Sequence, residues 1–174
     1  KVVFQYFQWN VDKKMELRHE GAFYEVSPWS LSWDNGNYYL IAYDSREGII
    51  KHFRVDKMLN IESNGKVREG KQAFRLFDMA AYAKKMFGMY GGKEVWVSIE
   101  CDNSFAGIMI DRFGKDVSMI RLDDKSFVVN VEVAVSRQCI AWIIGLGDGV
   151  TLVGPDQVVE MMNEEIDRLR NQYK

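Results

Sequence analysis

Residues 1–63 alternate apolar and polar positions with a period of two, the pattern of β-strands that bury one face. Val2-Val3-Phe4-Gln5-Tyr6-Phe7 is strand-like in composition, and Lys13 to His19 alternates cleanly, with Asn10-Val11-Asp12 as the turn between them. Three more strands are predicted over 24–32, 38–43 and 49–58, with Leu59-Asn60-Ile61-Glu62 extending the last. Asn35-Gly36 between two aromatic runs is a hairpin signal, because both residue types tolerate positive φ. Four residues separate those runs, so a loop longer than the bare two-residue turn is expected. The second turn, Asp44-Ser45-Arg46-Glu47-Gly48, is polar and closes with glycine. Five short antiparallel strands in about sixty residues suggest a small curled sheet or barrel.

The pattern then changes. A polar loop runs from Asn64 through Gly70, and a helix is expected from Asp78 to about Phe87, with Met79, Tyr82, Ala83 and Met86 on its apolar face. Lys84 and Lys85 lie near its C-terminal end, where cations suit the helix dipole. Gly91-Gly92 is the expected domain boundary. From Glu94 onward the order reads βαββαβα: a strand over 94–101, a helix from the Asp102-Asn103-Ser104 cap to Phe113, strands over 117–122 and 126–135, a helix capped by Ser136, a strand over 150–153, and a last helix from Pro155 to about Gln172. That order fits a split βαβ, ferredoxin-like sandwich. The domains expected are a barrel (1–63), a basic linker with a short helix (64–93) and a C-terminal extension (94–174), an α+β chain.

Composition narrows the function classes. The chain has 174 residues, 47% of them hydrophobic, and no uninterrupted apolar run long enough for a membrane span. The net charge of −2 does not suggest a nucleic-acid binder by itself. The distribution says more: residues 1–63 are near neutral, 64–93 carry a net +5 and 94–174 a net −6. A basic middle segment reads as an anion-facing surface, a segment that docks on an acidic domain, or a solvated helix face. Cys101 and Cys139 stand alone, as buried reduced thiols of a cytoplasmic protein do. Two histidines without clustered carboxylates make a poor metal site, so neither metal nor cofactor is expected. Gly145-Leu146-Gly147-Asp148-Gly149 only loosely resembles a phosphate loop and follows a helix rather than a strand. No nucleophile–base–acid arrangement is visible, and no enzyme is expected.

The candidate chemistry gathers in 24–58. Alternation over 49–56 puts Ile50, His52, Arg54 and Asp56 on one face, opposite Phe53 and Val55. From composition alone, Arg54 with Asp56 reads as a same-face ion pair on an exposed strand. Tyr39 reads as core or as a residue with one wet end. Ser27, restricted to extended geometry by Pro28, reads as a turn residue.

The motifs here resemble those of the WYL domain of bacterial transcriptional regulators. They are Ser27-Pro28-Trp29-Ser30-Leu31, the triplet Tyr38-Tyr39-Leu40, and Phe53-Arg54-Val55-Asp56-Lys57-Met58. Tyr38 stands where the family usually has Trp, and Lys57 where it usually has Arg, a point charge in place of a planar fork. The resemblance implies an Sm-like or SH3-like barrel over 1–63, with 94–174 as the extension that often follows it. It also implies that the motif arginine lies in a ligand pocket. The function implied is an effector-sensing module whose winged helix-turn-helix lies upstream and reads promoter DNA. The effector implied is anionic, a single-stranded nucleic acid or nucleotide, and homodimerisation is expected by the same analogy. Residues expected at the ligand are Tyr6, Ser27, Tyr39, Arg46, His52, Arg54 and Lys57: cationic groups for phosphate, rings for bases. The alternative is a protein–protein interaction or dimerisation module with no small effector.

Overall fold

The computed structural model describes residues 1–75, 82, 84–89 and 92–174, and the chain divides into two compact units, Lys1–Asp78 and Met79–Lys174. The expected helix start at Asp78, its Met79 and Ala83, and Gly91 of the expected boundary lie outside the described residues. Tyr82, Lys84 and Lys85 are helical.

The first unit is a curled antiparallel half-barrel of β1 (Val2–Trp9), β2 (Met15–Leu17), β3 (Tyr24–Asp34), β4 (Asn37–Asp44), β5 (Ile49–Arg54) and β6 (Met58–Ser63). The order is β2-β1-β3-β4-β5, with β6 on β1. Its core is aromatic: Phe4 is fully buried, stacks on Tyr24 at 5.5 Å and meets Phe53 edge-on at 5.0 Å. Such ring pairs contribute about 0.5–1.5 kcal/mol each beyond their buried area.

Three local expectations are corrected. Asp34 pairs with Asn37, and Asn35 (φ 46°) and Gly36 (φ 76°) are both left-handed, so the β3–β4 connection is a two-residue turn. The right-handed twist of the flanking strands selects this turn, and it leaves no room for the longer loop. The strand expected over 49–58 breaks at Arg54: Val55–Lys57 is a 3₁₀ turn, and β6 pairs with β1 rather than prolonging β5. The strand expected over 13–19 shrinks to Met15–Leu17, because His19, Glu20 and Gly21 all take positive φ.

Strand β3 carries a bulge between Pro28 and Ser30. The extra residue, Trp29, leaves the ladder. Its ring stacks on Phe74 at 4.8 Å, its Nε1 donates to the Glu69 carbonyl at 2.8 Å, and the Arg68 guanidinium lies 4.0 Å above it. Gly70 presses against the Tyr43 ring, where an added Cβ would come within 2.4 Å of Cγ. The expected polar loop is therefore a strap seated on β3 and β4.

The second unit holds β7 (Lys93–Asp102), α1 (Ala106–Phe113), β8 (Ser118–Arg121), β9 (Ser126–Val135), α2 (Arg137–Gly145), β10 (Val150–Gly154) and α3 (Asp156–Gln172). The antiparallel order β10-β7-β9-β8 is the ferredoxin-like arrangement. Met109, Phe113, Cys139, Ile140, Ile143 and Val158 from the helices pack on Val97, Ile99, Val129 and Leu152 of the sheet. The Ser136 hydroxyl caps α2 by accepting from Cys139 N–H at 3.2 Å. Two boundaries differ from expectation. Asn103–Phe105 is a 3₁₀ turn ahead of α1, with no cap bond from Asp102, and Pro155 occupies the N-cap of α3, outside its first turn.

Candidate functional site

Register decides which candidate residues meet. Across β4 and β5, Tyr39 faces Arg54, Ile41 faces His52 and Tyr43 faces Ile50, so these share one side of the sheet. Leu40, Ala42 and Phe53 take the other side, in the core. Strand β4 is thus buried on both sides, with Leu40, Ile41 and Ala42 at 8%, 0% and 0% exposure.

Arg54 is the centre of the first group. Its backbone N–H donates to the Tyr6 hydroxyl at 2.9 Å, which ties β5 to β1. Its guanidinium grips Asp56 with two bonds, Nε to Oδ1 at 3.0 Å and NH2 to Oδ2 at 2.8 Å. The 3₁₀ turn makes that grip by swinging Asp56 back beside the strand end. The pair raises Arg54, chiefly through the Asp56 hydrogen bond, and the same bond holds the Asp56 carboxyl below its usual range. Tyr39 and Tyr6 both lie within electrostatic reach of Arg54, and Lys57 within reach of Asp56. Burial pushes the Tyr6 phenol up, and the Arg54 bond and charge partly offset it. Its ring sits edge-on to Phe4, Tyr24 and Phe53, so Tyr6 offers the site its hydroxyl rather than its face.

Of the remaining candidates, His52 shares this side of the sheet, and Ser27 and Arg46 stand elsewhere. Ser27 is fully buried, and its hydroxyl accepts the Glu69 N–H at 2.8 Å, so it anchors the strap. His52 is half-buried on the Arg54 side of β5. Arg46 lies in the β4–β5 turn at a hollow of about 250 Å³ that Tyr6, Tyr39 and Arg54 do not line. Its lining comes from two stretches of chain: His19 with residues 22–25, and Asp44, Arg46, Glu47 and Lys51. Asp44 is buried and bonded by Lys51 Nζ at 2.8 Å and by Arg46 N–H at 2.9 Å. Burial would raise Asp44, but those bonds outweigh it and the carboxyl ends below its usual range. Alternation does not flag the hollow, because its lining comes from stretches far apart in sequence. A buried Asp opening a Gly-closed turn is the available signal.

Among the described residues no group of three or more His, Cys, Asp or Glu is placed to hold a metal. No described helix is long and apolar enough to cross a membrane.

Barrel and sandwich together define an α+β protein of two small units, with a basic residue gripped at the barrel rim and a strap seated on β3 and β4. The WYL domain family matches residues 1–63 and the WCX domain family residues 93–170, so the chain is a WYL-domain protein carrying a WCX domain. None of the curated proteins matches the sequence significantly. Among solved structures, a CRISPR Cas-related protein is 12% identical over 99% of this chain and 48% of its own, with a TM-score of 0.50. The proteasome accessory factor B/C (PafBC) of Arthrobacter aurescens is 19% identical over 99% of this chain and 25% of its own, with a TM-score of 0.41. The first likeness is one of fold alone, and the second is too loose to add to it. The chain spans about half and about a quarter of the lengths of these two proteins.

Proposed function

We propose that this chain is the effector-sensing part of a bacterial transcription regulator, without catalytic activity of its own, and that it senses an anion at the barrel rim. The pairing of a WYL with a WCX domain supports the regulatory reading. The observation that carries the anion reading is the Arg54 group: a cationic side chain 32% exposed, with Tyr39 and Tyr6 within electrostatic reach of it and Lys57 within reach of its carboxylate partner. A phosphate or carboxylate would take the fork from Asp56, which is 54% exposed and free to swing away. Single-stranded nucleic acid or a nucleotide is the effector class this group suits best, with phosphate on Arg54 and Lys57. Promoter DNA would be read by a domain outside this chain, in a homodimer, in the cytoplasm.

The test is a titration of a labelled single-stranded oligonucleotide at two salt concentrations. Affinity should fall as salt rises, and Arg54→Ala should weaken binding about tenfold or more. Salt-independent binding, or binding unchanged in the variant, would refute the assignment. A second reading has its own observation: the bidentate Arg54–Asp56 pair already neutralises the fork, as in a scaffold that binds a protein and no small effector. In that case Arg54→Ala would not change the binding of any anion.

A further inference from the structure

We propose that the hollow beside the β4–β5 turn is a second ligand site, for a small anion bearing a single aromatic ring, clamped by the Arg46 guanidinium against the wall formed by Phe23 and Tyr24. It goes beyond the rim reading and does not depend on it, since Arg54, Tyr39 and Tyr6 do not line this hollow.

The charges around the hollow select the sign of the ligand. Lys51 is bonded to Asp44 at 2.8 Å and to Glu47 at 2.6 Å. Glu25 is bonded to Lys66 at 2.8 Å and lies 3.5 Å from Lys1. Every carboxylate lining the cavity therefore has a cation bonded to it, Asp44 and Glu47 sharing Lys51. Arg46 is the charged lining residue whose side chain has no ion-pair partner among the described residues. Its backbone is held in place: Arg46 N–H donates to Asp44 Oδ1 at 2.9 Å, and Gly48 N–H donates to the Asp44 carbonyl at 2.8 Å. A turn fixed on a buried carboxylate thus presents a guanidinium with no ion-pair partner among the described residues to an incoming oxyanion.

The lining stretch that includes Phe23 and Tyr24 supplies the apolar part. Phe23 remains 51% exposed although it is a large ring, and Tyr24 meets the His19 ring edge-on at 5.6 Å. The backbone that presents this stretch is unusual. His19, Glu20 and Gly21 take φ of 49°, 55° and 82°, a run that residues with side chains disfavour. It is held by Gln5 Nε2 donating to the Gly21 carbonyl at 2.6 Å and by Ala22 N–H donating to the His19 carbonyl at 2.9 Å. Persistent unfavourable backbone of this kind concentrates at ligand clamps. At about 250 Å³ the hollow is smaller than the sites that hold drug-sized ligands, roughly 300–1,000 Å³. One ring and one acid group fit; an oligonucleotide does not.

The experiment titrates the full chain with 4-hydroxybenzoate and follows backbone amide shifts. Saturable shifts are expected in 19–25 and 44–51. Arg46→Ala, an exposed turn position, should weaken binding about tenfold or more, Arg46→Lys should recover part of it, and neutral 4-hydroxybenzamide should bind about tenfold more weakly. Arg54→Ala should leave this binding unchanged while weakening oligonucleotide binding, which separates the two sites. The proposal is overturned by any of four results: no saturable shift, equal binding of the neutral amide, equal binding by Arg46→Ala, or shifts centred on Tyr39 and Arg54.

Discussion

Replacing Asp56 with asparagine tests the rim site from the side opposite to the usual deletion. The carboxylate accepts two bonds from Arg54, at 3.0 and 2.8 Å, and so competes directly with any anion for the guanidinium fork. Both side chains are solvated, at 32% and 54% exposure, so the pair belongs with surface salt bridges, worth about 0.2–1 kcal/mol after screening. The Asp56→Asn change would remove that competition and one negative charge. The affinity gain available is then about 1 kcal/mol at most, or up to roughly fivefold in Kd. Stability should change by no more than about 1 kcal/mol for the same reason. Fluorescence anisotropy of a labelled single-stranded oligonucleotide at fixed low salt measures the effect. Asp56→Asn should bind about two- to fivefold more tightly than the parent, Arg54→Ala about tenfold or more weakly, and the double variant should match Arg54→Ala. If Asp56→Asn binds more weakly, Asp56 is orienting Arg54 rather than competing with the ligand, and the reasoning fails. If neither single variant changes the affinity, Arg54 is not the anion contact at all.

Gly70→Ala places a Cβ within 2.4 Å of Tyr43 at φ 85°, so strain and overpacking together should cost about 2–4 kcal/mol. Hydrogen exchange should then show loss of protection at the Glu69 amide, which donates to Ser27, ahead of the core strands; unchanged protection there would refute the strap. Acid should loosen the β4–β5 turn. Asp44 sits below its usual range when folded, so its contribution is complete above the unfolded carboxylate value near about 3.9 and is lost as pH falls through the lower folded value. Amide shifts of 44–51 followed from pH 5 downward should show this, and Asp44→Asn should flatten the profile. Burial pushes the Cys101 and Cys139 thiols up to about 11, so a thiol reagent at pH 8 should label neither until the chain is unfolded.

The second unit is largely legible in the sequence because its strands bury one face and its helices are punctuated by caps and glycines. Val97, Ile99 and Cys101 alternate inward along β7, and Ser136 stands where a cap must. The barrel is less legible, for reasons of register and backbone conformation. The break at Arg54 is hidden because Phe53 and Val55 keep the strand's alternation into the 3₁₀ turn, and only Met58, one position out of phase, departs from it. Ser27 reads as a ligand or turn residue, yet its hydroxyl serves the Glu69 amide, a partner 42 positions away that periodicity does not connect. Arg46 and Arg54 group together in the sequence because both are cationic residues near one motif, but the β4–β5 register sends them to opposite ends of the same strand pair. Trp29 stands out as a motif residue; its departure from the ladder follows from a bulge that no spacing rule announces.

Strand β4 is a partition wall one residue thick. Ile41 and Ala42 are adjacent in sequence, both sealed from water, and they look into different rooms: one behind His52, the other onto Phe53 and the aromatic interior. The two rooms are joined there by a single peptide link, so a change of side-chain volume at either position is felt first across that link.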